Sequence, residues 1–161
     1  MVILVMGVAG SGKTTVGREL ADSLGWSFVD ADDVHPPANI AKMAAGQPLT
    51  DEDRAPWLQA LRSRITDYLA QGKDAVVTCS ALKSRYRDVI VVDPQTVKVV
   101  HLTGSLELLR SRISHRVGHF MSPAMLDSQL AALEAPSDAL TLDVAHSPTE
   151  LVLDIRRAFG L

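Results

Sequence analysis

The chain has 161 residues, 47% of them apolar and 22% charged, with a formal net charge of −3 and a single cysteine, Cys79. That length suits one domain with a real core, and the acidic balance lacks the basic excess that general nucleic-acid binding needs. No apolar run approaches the ~20 residues of a membrane span, Met1-Val2-Ile3 opens straight into a strand without a basic leader, and one cysteine forms no internal disulfide, which fits a reducing cytoplasm.

Val2-Ile3-Leu4-Val5-Met6 predicts a buried strand that ends at Gly7. The next residues, Gly7-Val8-Ala9-Gly10-Ser11-Gly12-Lys13-Thr14, match G-x-x-x-x-G-K-[ST], a phosphate-binding loop. Val16, Leu20 and Leu24 then recur at helical spacing until Gly25, a natural C-terminal cap. Strand, glycine loop and helix are the context such a loop requires. Glycines let backbone N–H groups turn inward toward a polyphosphate, and the helix start adds its partial positive charge. The candidate nucleotide contacts are Gly7, Gly10, Ser11, Gly12, Lys13, Thr14 and Thr15. Lys13 supplies a point charge for the β- and γ-phosphates, and the Thr14 hydroxyl a ligand for Mg²⁺.

Trp26 to Val29 predicts a short second strand running into Asp30-Ala31-Asp32-Asp33. Carboxylates at the C-terminal end of a strand stand where open α/β sheets place their ligands. A short helix over 38–46 and a turn at Pro48-Leu49 follow; Thr50 and Asp53 then form a capping box for a helix that closes at Gly72. Arg54 lies on its first turn, available either to a ligand or to an ion pair with Asp51 or Asp53. Ala75 to Cys79 is apolar throughout and predicts a central strand, with Cys79 a small buried residue. Ser80-Ala81-Leu82-Lys83 leads from it into a helix over Ser84 to Ile90. Val97 to Leu102 is the fourth strand, and Leu106, Leu109 and Ile113 stripe the helix after it.

That helix carries Arg110, Arg112 and Arg116 and breaks between Gly118 and Pro123, so about 112–124 reads as a basic lid. His115 and His119 are four apart, but Gly118 interrupts the turn and no third ligand stands near, so a metal site is not expected there. A helix from Ser122-Pro123 runs through Leu126, Leu130 and Leu133 and stops around Pro136. Leu140 to Ala145 predicts the fifth strand; Ser147 and Glu150 form a second capping box, and Leu151, Ile155 and Phe159 stripe the last helix. Strands alternating with helices predict an α/β chain, one domain over 1–161, with a parallel sheet covered on both faces.

Beyond the phosphate loop, longer blocks carry a resemblance. Asp30-Ala-Asp-Asp-Val-His35-Pro36, Asn39-x-x-Lys42-Met43 and Gly46-x-Pro48-Leu49-x-Asp51-x-Asp53-Arg54-x-x-Trp57-Leu58 resemble the gluconokinase family. So do Cys79-Ser80-Ala81-Leu82-Lys83 with Tyr86-Arg87-Asp88, Gly118-His119-Phe120-Met121, and Gln129 with Leu133-Glu134-x-Pro136. The resemblance implies a three-layer P-loop kinase fold, a parallel sheet in the order 2-3-1-4-5, a helical lid and a homodimer. It also implies ATP-dependent phosphorylation of the terminal hydroxyl of D-gluconate, giving 6-phospho-D-gluconate.

By that similarity Thr14 and Asp30 hold Mg²⁺, and Asp32 faces the acceptor hydroxyl as general base, though the two aspartates could exchange roles. Arg112 and Arg116 close on the γ-phosphate. The gluconate carboxylate needs a cation from among Arg54, Lys83 and Arg87, with Arg54 favoured because a guanidinium binds carboxylate bidentately. His35, Lys42, Ser80 and Gln129 add hydrogen bonds, and the adenine falls near His146-Ser147-Pro148. Two other readings stand beside this one. A kinase for another hydroxy acid such as shikimate is opposed by the His35-Pro36 and Cys79–Lys83 blocks; a non-catalytic nucleotide-binding regulator is opposed by the presence of Lys13, Thr14, Asp32 and the lid arginines.

Overall fold

The computed structural model describes residues 1–115 and 123–161. Strand β1 (Val2–Met6) is buried along its whole length, because it has neighbours on both sides and both faces. It pairs in parallel with β3 (Ala75–Cys79), Val2 opposite Ala75, and with β4 (Val97–Thr103), Val2 opposite Val97. Strand β2 (Ser27–Asp30) adds outside β3 and β5 (Leu140–Asp143) outside β4, so the five-stranded order is β2-β3-β1-β4-β5. This is the predicted order, and every pairing is parallel.

Side chains alternate across the pleat. Ile3 and Val5 pack one way, with Val16 and Leu20 of α1 (Lys13–Leu24), Leu109 of α5 (Leu106–Ser114) and Leu151 of α7 (Pro148–Phe159). Leu126 of α6 (Pro123–Ala132) joins the same cluster. Val2, Leu4 and Met6 pack the other way, with Trp57, Leu61 and Ile65 of α3 (Asp51–Ala70) and Tyr86 and Ile90 of α4 (Ser84–Ile90). A helix α2 (Pro37–Ala44) precedes α3. The result is three layers with apolar residues on both faces of the sheet.

The caps fall where the sequence sets them. Thr50 with Asp53 and Ser147 with Glu150 form reciprocal capping boxes, and Gly25 closes α1 in the left-handed conformation. Several boundaries differ from expectation, among them α2, which runs over Pro37–Ala44 rather than 38–46, and β4, which extends to Thr103. Trp26 lies outside β2, and after Asp30 the chain turns at once into a 3-10 segment, Ala31–Val34, capped by the Asp30 carboxylate, which accepts from the Asp32 N–H at 3.1 Å. Strand β5 stops at Asp143 rather than Ala145, since the Asp143 carboxylate accepts the Ala145 N–H at 2.9 Å and turns the chain. Helix α6 ends at Ala132, and Glu134 leaves it to donate its N–H to the Leu82 carbonyl at 2.8 Å. The parallel strands all bring their C-terminal ends to one edge, which sets the ligand side of the sheet.

Candidate active site

On the donor half, Gly7, Gly10 and Gly12 have φ of 153°, 78° and 83°. At Gly7 both reasons for glycine coincide: a Cβ would stand 2.6 Å from the Leu102 carbonyl and 2.7 Å from Ser11 Oγ. The loop therefore curls tightly from β1 into α1. Lys13 Nζ donates to the Val8 carbonyl at 3.0 Å, so its charge lies over the loop's own cradle. Ser11 is buried, and its Oγ has no hydrogen-bond partner among the described residues. A buried orphan hydroxyl costs free energy unless something polar meets it, and in a cradle of backbone N–H groups a phosphate oxygen is the fitting partner.

Thr14 Oγ1 donates to Asp30 Oδ2 at 3.1 Å, while Asp30 Oδ1 holds the Asp32 N–H. One carboxylate thus joins the hydroxyl at the start of α1 to the turn bearing Asp32. Two hard oxygen donors at this distance suit Mg²⁺, which keeps waters and is bound through one or two protein groups plus phosphates. The charges of Asp32, Lys13 and Asp30 all act on the Cys79 thiol, placing these groups around the C-terminal end of β3. Burial, the larger effect, pushes that thiol up to about 12, so Cys79 is an inert core residue.

Beside the loop lies a cavity of about 250 Å³ lined by Gly10, Gly12, Thr15, Arg112, His146 and Pro148. The family resemblance puts the expected adenine site near His146 and Pro148. Arg112 forms part of its wall, with one guanidinium nitrogen donating to the Val144 carbonyl at 2.7 Å. It stands at the turn after β5, on the flank of the loop away from Asp32. Arg116, like most of the segment read as the lid and like His119, lies outside the described residues.

The half expected to receive the acceptor is assembled from side chains. Trp57 of α3 donates its indole N–H to the Ala31 carbonyl at 2.7 Å and stacks on His35 with ring centroids 4.4 Å apart. Asn39 Nδ2 lies 3.3 Å from His35 Nδ1 and donates to the Asp53 carbonyl at 2.9 Å. Burial, and then the nearby Arg54 charge, hold the His35 pKa below its ordinary value, so the neutral ring is favoured. Asp53 accepts from Lys42 at 2.7 Å and from the Thr50 N–H, and these bonds lower its pKa to about 2. Lys42, expected among the acceptor contacts, is thereby tied to the start of α3.

Tyr86 is the hub of a cation cluster that the sequence did not reveal. Its hydroxyl donates to Asp51, Arg85 also bonds to Asp51, and Lys83 Nζ is 3.7 Å from the same carboxylate. Arg54 Nη1 donates to the Leu49 carbonyl at 2.8 Å and to Tyr86 Oη at 3.4 Å, with Asp51 3.9 Å away. Arg54, Lys83 and Arg85 each stand 5.5–5.7 Å from the centre of the Tyr86 ring. Three cations face one carboxylate there, leaving a positive surplus suited to an anion. Of the two alternatives for Arg54, the ion pair with Asp51 is present, and the same side chain also belongs to the cluster around Tyr86.

Two further residues expected to contact the acceptor, Arg87 and Gln129, bond within the protein. Arg87 is 9% exposed, and its Nη1 donates to the Ala81 and Leu82 carbonyls at 2.9 and 3.2 Å. It braces the loop instead of joining the cluster around Tyr86. Gln129 Oε1 accepts the Ala9 N–H at 2.7 Å, so α6 touches the phosphate loop directly. Ser80 is half-buried at the end of β3, followed by Ala81 at φ 44°. A left-handed alanine is strained by about 1–2 kcal/mol. Sequence reasoning gives no site role to Asp51, Tyr86 or Glu134; the signals present are their place in the blocks that carry the resemblance and the setting of Tyr86 between Lys83, Arg85 and Arg87.

A family model described as an AAA domain matches residues 2–136. A gluconokinase of Gluconobacter oxydans (strain 621H) is 49% identical over 136 residues, 84% of this chain and 76% of that protein. The chain belongs to the gluconokinase family. Among solved structures, a gluconokinase from Sinorhizobium meliloti 1021 matches with a TM-score of 0.83 and 45% identity, covering 94% of this chain and 87% of that one. A sugar kinase from Janibacter sp. HTCC2649 matches with a TM-score of 0.88 and 45% identity, over 97% and 92% of the two chains. The P-loop kinase architecture expected of a gluconokinase-family member is the one this sheet adopts.

Proposed function

We infer that this chain transfers the γ-phosphate of ATP to the terminal hydroxyl of D-gluconate, giving 6-phospho-D-gluconate. The observation that supports it most is the junction at Asp30, which links the Thr14 hydroxyl on the phosphate side to the Asp32 turn on the acceptor side. Phosphoryl transfer asks mainly for positioning and charge neutralisation. The Gly7–Thr14 backbone cradles the phosphates, and Lys13 leaves the Val8 carbonyl to counter charge on the β- and γ-oxygens. Thr14 and Asp30 hold Mg²⁺, which when bound neutralises the phosphate oxygens.

Asp32 accepts the proton of the acceptor hydroxyl, because Asp30 is engaged with Thr14 on the phosphate side. Arg54 and Lys83 take the gluconate carboxylate, exchanging part of their interaction with Asp51 for the incoming anion. His35 and Ser80 meet hydroxyls. Arg112 works from the wall of the cavity that receives the base, and Arg116 closes from the lid over 112–124. The whole chain, 1–161, acts as a single kinase domain, in the cytoplasm and as a homodimer. No helix among the described residues is long and apolar enough to cross a membrane.

A coupled ADP-release assay with Mg-ATP against gluconate, shikimate, glycerate, AMP and no acceptor tests this. ADP release should depend on gluconate alone. Turnover with a different acceptor would keep the kinase and overturn the substrate.

A further inference from the structure

The loop between β3 and α4 carries Ser80 and Lys83, and it is bent by a residue in a conformation that L-amino acids seldom adopt. Ala81 sits at φ 44° and is buried. Backbone of this kind persists only where its surroundings over-determine it. Two side chains do that here. From α4, Arg87 Nη1 donates to the Ala81 and Leu82 carbonyls. From the segment after α6, Glu134 adds two bonds: its N–H donates to the same Leu82 carbonyl at 2.8 Å, and its Oε2 accepts the Ser84 N–H at 2.6 Å. Lys83 lies between the two residues that Glu134 holds.

The same stretch of chain also reaches the donor half, through Gln129 Oε1 on the Ala9 N–H at 2.7 Å. Residues 129–134 therefore touch the phosphate loop at one end and the acceptor loop at the other. The span between is short and partly helical, with Leu133 N–H bonded to the Leu130 carbonyl, so the two grips cannot move independently by much. Leu82 and Leu126 are buried in the core cluster that Leu130 and Leu133 pack against, which fixes the segment laterally.

We propose that Glu134 is a positioning residue for phosphoryl transfer: it holds the strained Ser80–Ser84 loop against the phosphate loop, so that Lys83 meets the acceptor's carboxylate at the right distance from the transferring phosphate. This rests on the reading that Lys83 contacts the acceptor. Loss of the carboxylate frees the Ser84 N–H and lets Ala81 relax toward ordinary φ, which swings Lys83 away from its place. The donor loop, made by its own backbone, is spared.

The test is gluconate-dependent ADP release by Glu134→Ala, Glu134→Gln, Ala81→Gly and the Ala81→Gly/Glu134→Ala pair, with amide hydrogen exchange over residues 80–84. Glu134→Ala should lower kcat/KM for gluconate about tenfold while KM for ATP stays within about twofold. Glu134→Gln, which keeps an oxygen acceptor, should recover most of the loss. Ala81→Gly should be near wild type alone and should suppress the Glu134→Ala defect, because glycine takes φ 44° without strain. A plain helix-end role for Glu134 would give a defect that Ala81→Gly does not suppress, or equal changes in both KM values; either overturns the proposal, as does an unaffected Glu134→Ala. If the wild type itself lacks gluconate-dependent release, the substrate reading fails instead. Exchange at 80–84 then still decides the latch: acceleration in Glu134→Ala supports it and unchanged exchange overturns it.

Discussion

On the donor side the cradle is made within Gly7 to Thr14, by backbone and by three glycines in conformations other residues avoid, with Lys13 folded over it. On the acceptor side Asp32, His35, Arg54 and Lys83 come from three separate elements and are held by one another and by Trp57, Asp51 and Tyr86. The first half is local and preformed. The second is a balance of charges, in which Asp51 is shared by Arg54, Lys83 and Arg85. A local cradle binds any nucleoside triphosphate in much the same way, whereas a shared-charge cluster can give up a partner to a particular anion. On the proposed reading, specificity therefore resides in the acceptor half.

The largest expected effect tests the donor half. Lys13→Ala should cut kcat by on the order of 10³ with gluconate and every other acceptor alike, since it removes charge stabilisation of the transferring group. Its ammonium bonds to the Val8 carbonyl of the loop, so thermal stability should change by no more than about 0.5 kcal/mol. Wild-type turnover in that variant would remove the phosphate-loop assignment.

Arg54→Ala tests the acceptor half and should separate the substrates. KM for gluconate should rise about 10- to 100-fold, the loss of a charge-assisted hydrogen bond of about 1.5–3 kcal/mol, with KM for ATP unchanged. Equal effects on both would take Arg54 out of the acceptor pocket. Lys42→Ala makes a useful companion, because Lys42 is bound to Asp53 and its loss should weaken the start of α3 more than acceptor affinity.

The same contrast explains what the sequence could tell. The phosphate loop is legible because its chemistry is consecutive: glycine spacing, Lys13 and Thr14 follow one another on the chain. Both capping boxes and the stripe of α1 are legible for the same reason, each being a short-range pattern, and the strand order came with the family resemblance. The acceptor half depends on which segments meet. Arg87 and Lys83 are four residues apart and both cationic, yet one is buried under loop carbonyls and the other reaches Asp51. Composition does not separate them; the left-handed turn at Ala81 does, by presenting its carbonyls to Arg87 while Lys83 is left to Asp51. Gln129 likewise reads as a polar residue on a helix until the fold lays it 2.7 Å from the Ala9 N–H.

The smallest expected effect is on stability against pH, and it again separates two sets of groups. His35 and His101 both have pKa values held below 6.5 in the folded chain, by burial first and then by Arg54 and Arg87 respectively. The unfolded chain therefore binds their protons more tightly, and stability is lost as pH falls through about 6.5, levelling off below the folded values. Each ring takes up at most one proton, which limits its contribution to about 1.4 kcal/mol per pH unit. Asp51 and Asp53 are shifted downward, so their contribution is intact above 3.8 and disappears only at more acid pH. Urea unfolding between pH 7.5 and 5 should thus already show falling stability, and His101→Asn should make that slope shallower without touching the later carboxylate step. A wild-type protein equally stable at pH 7.5 and 5 would mean that the two rings titrate as freely folded as unfolded, and that Arg54 does not press on His35 as the acceptor cluster requires.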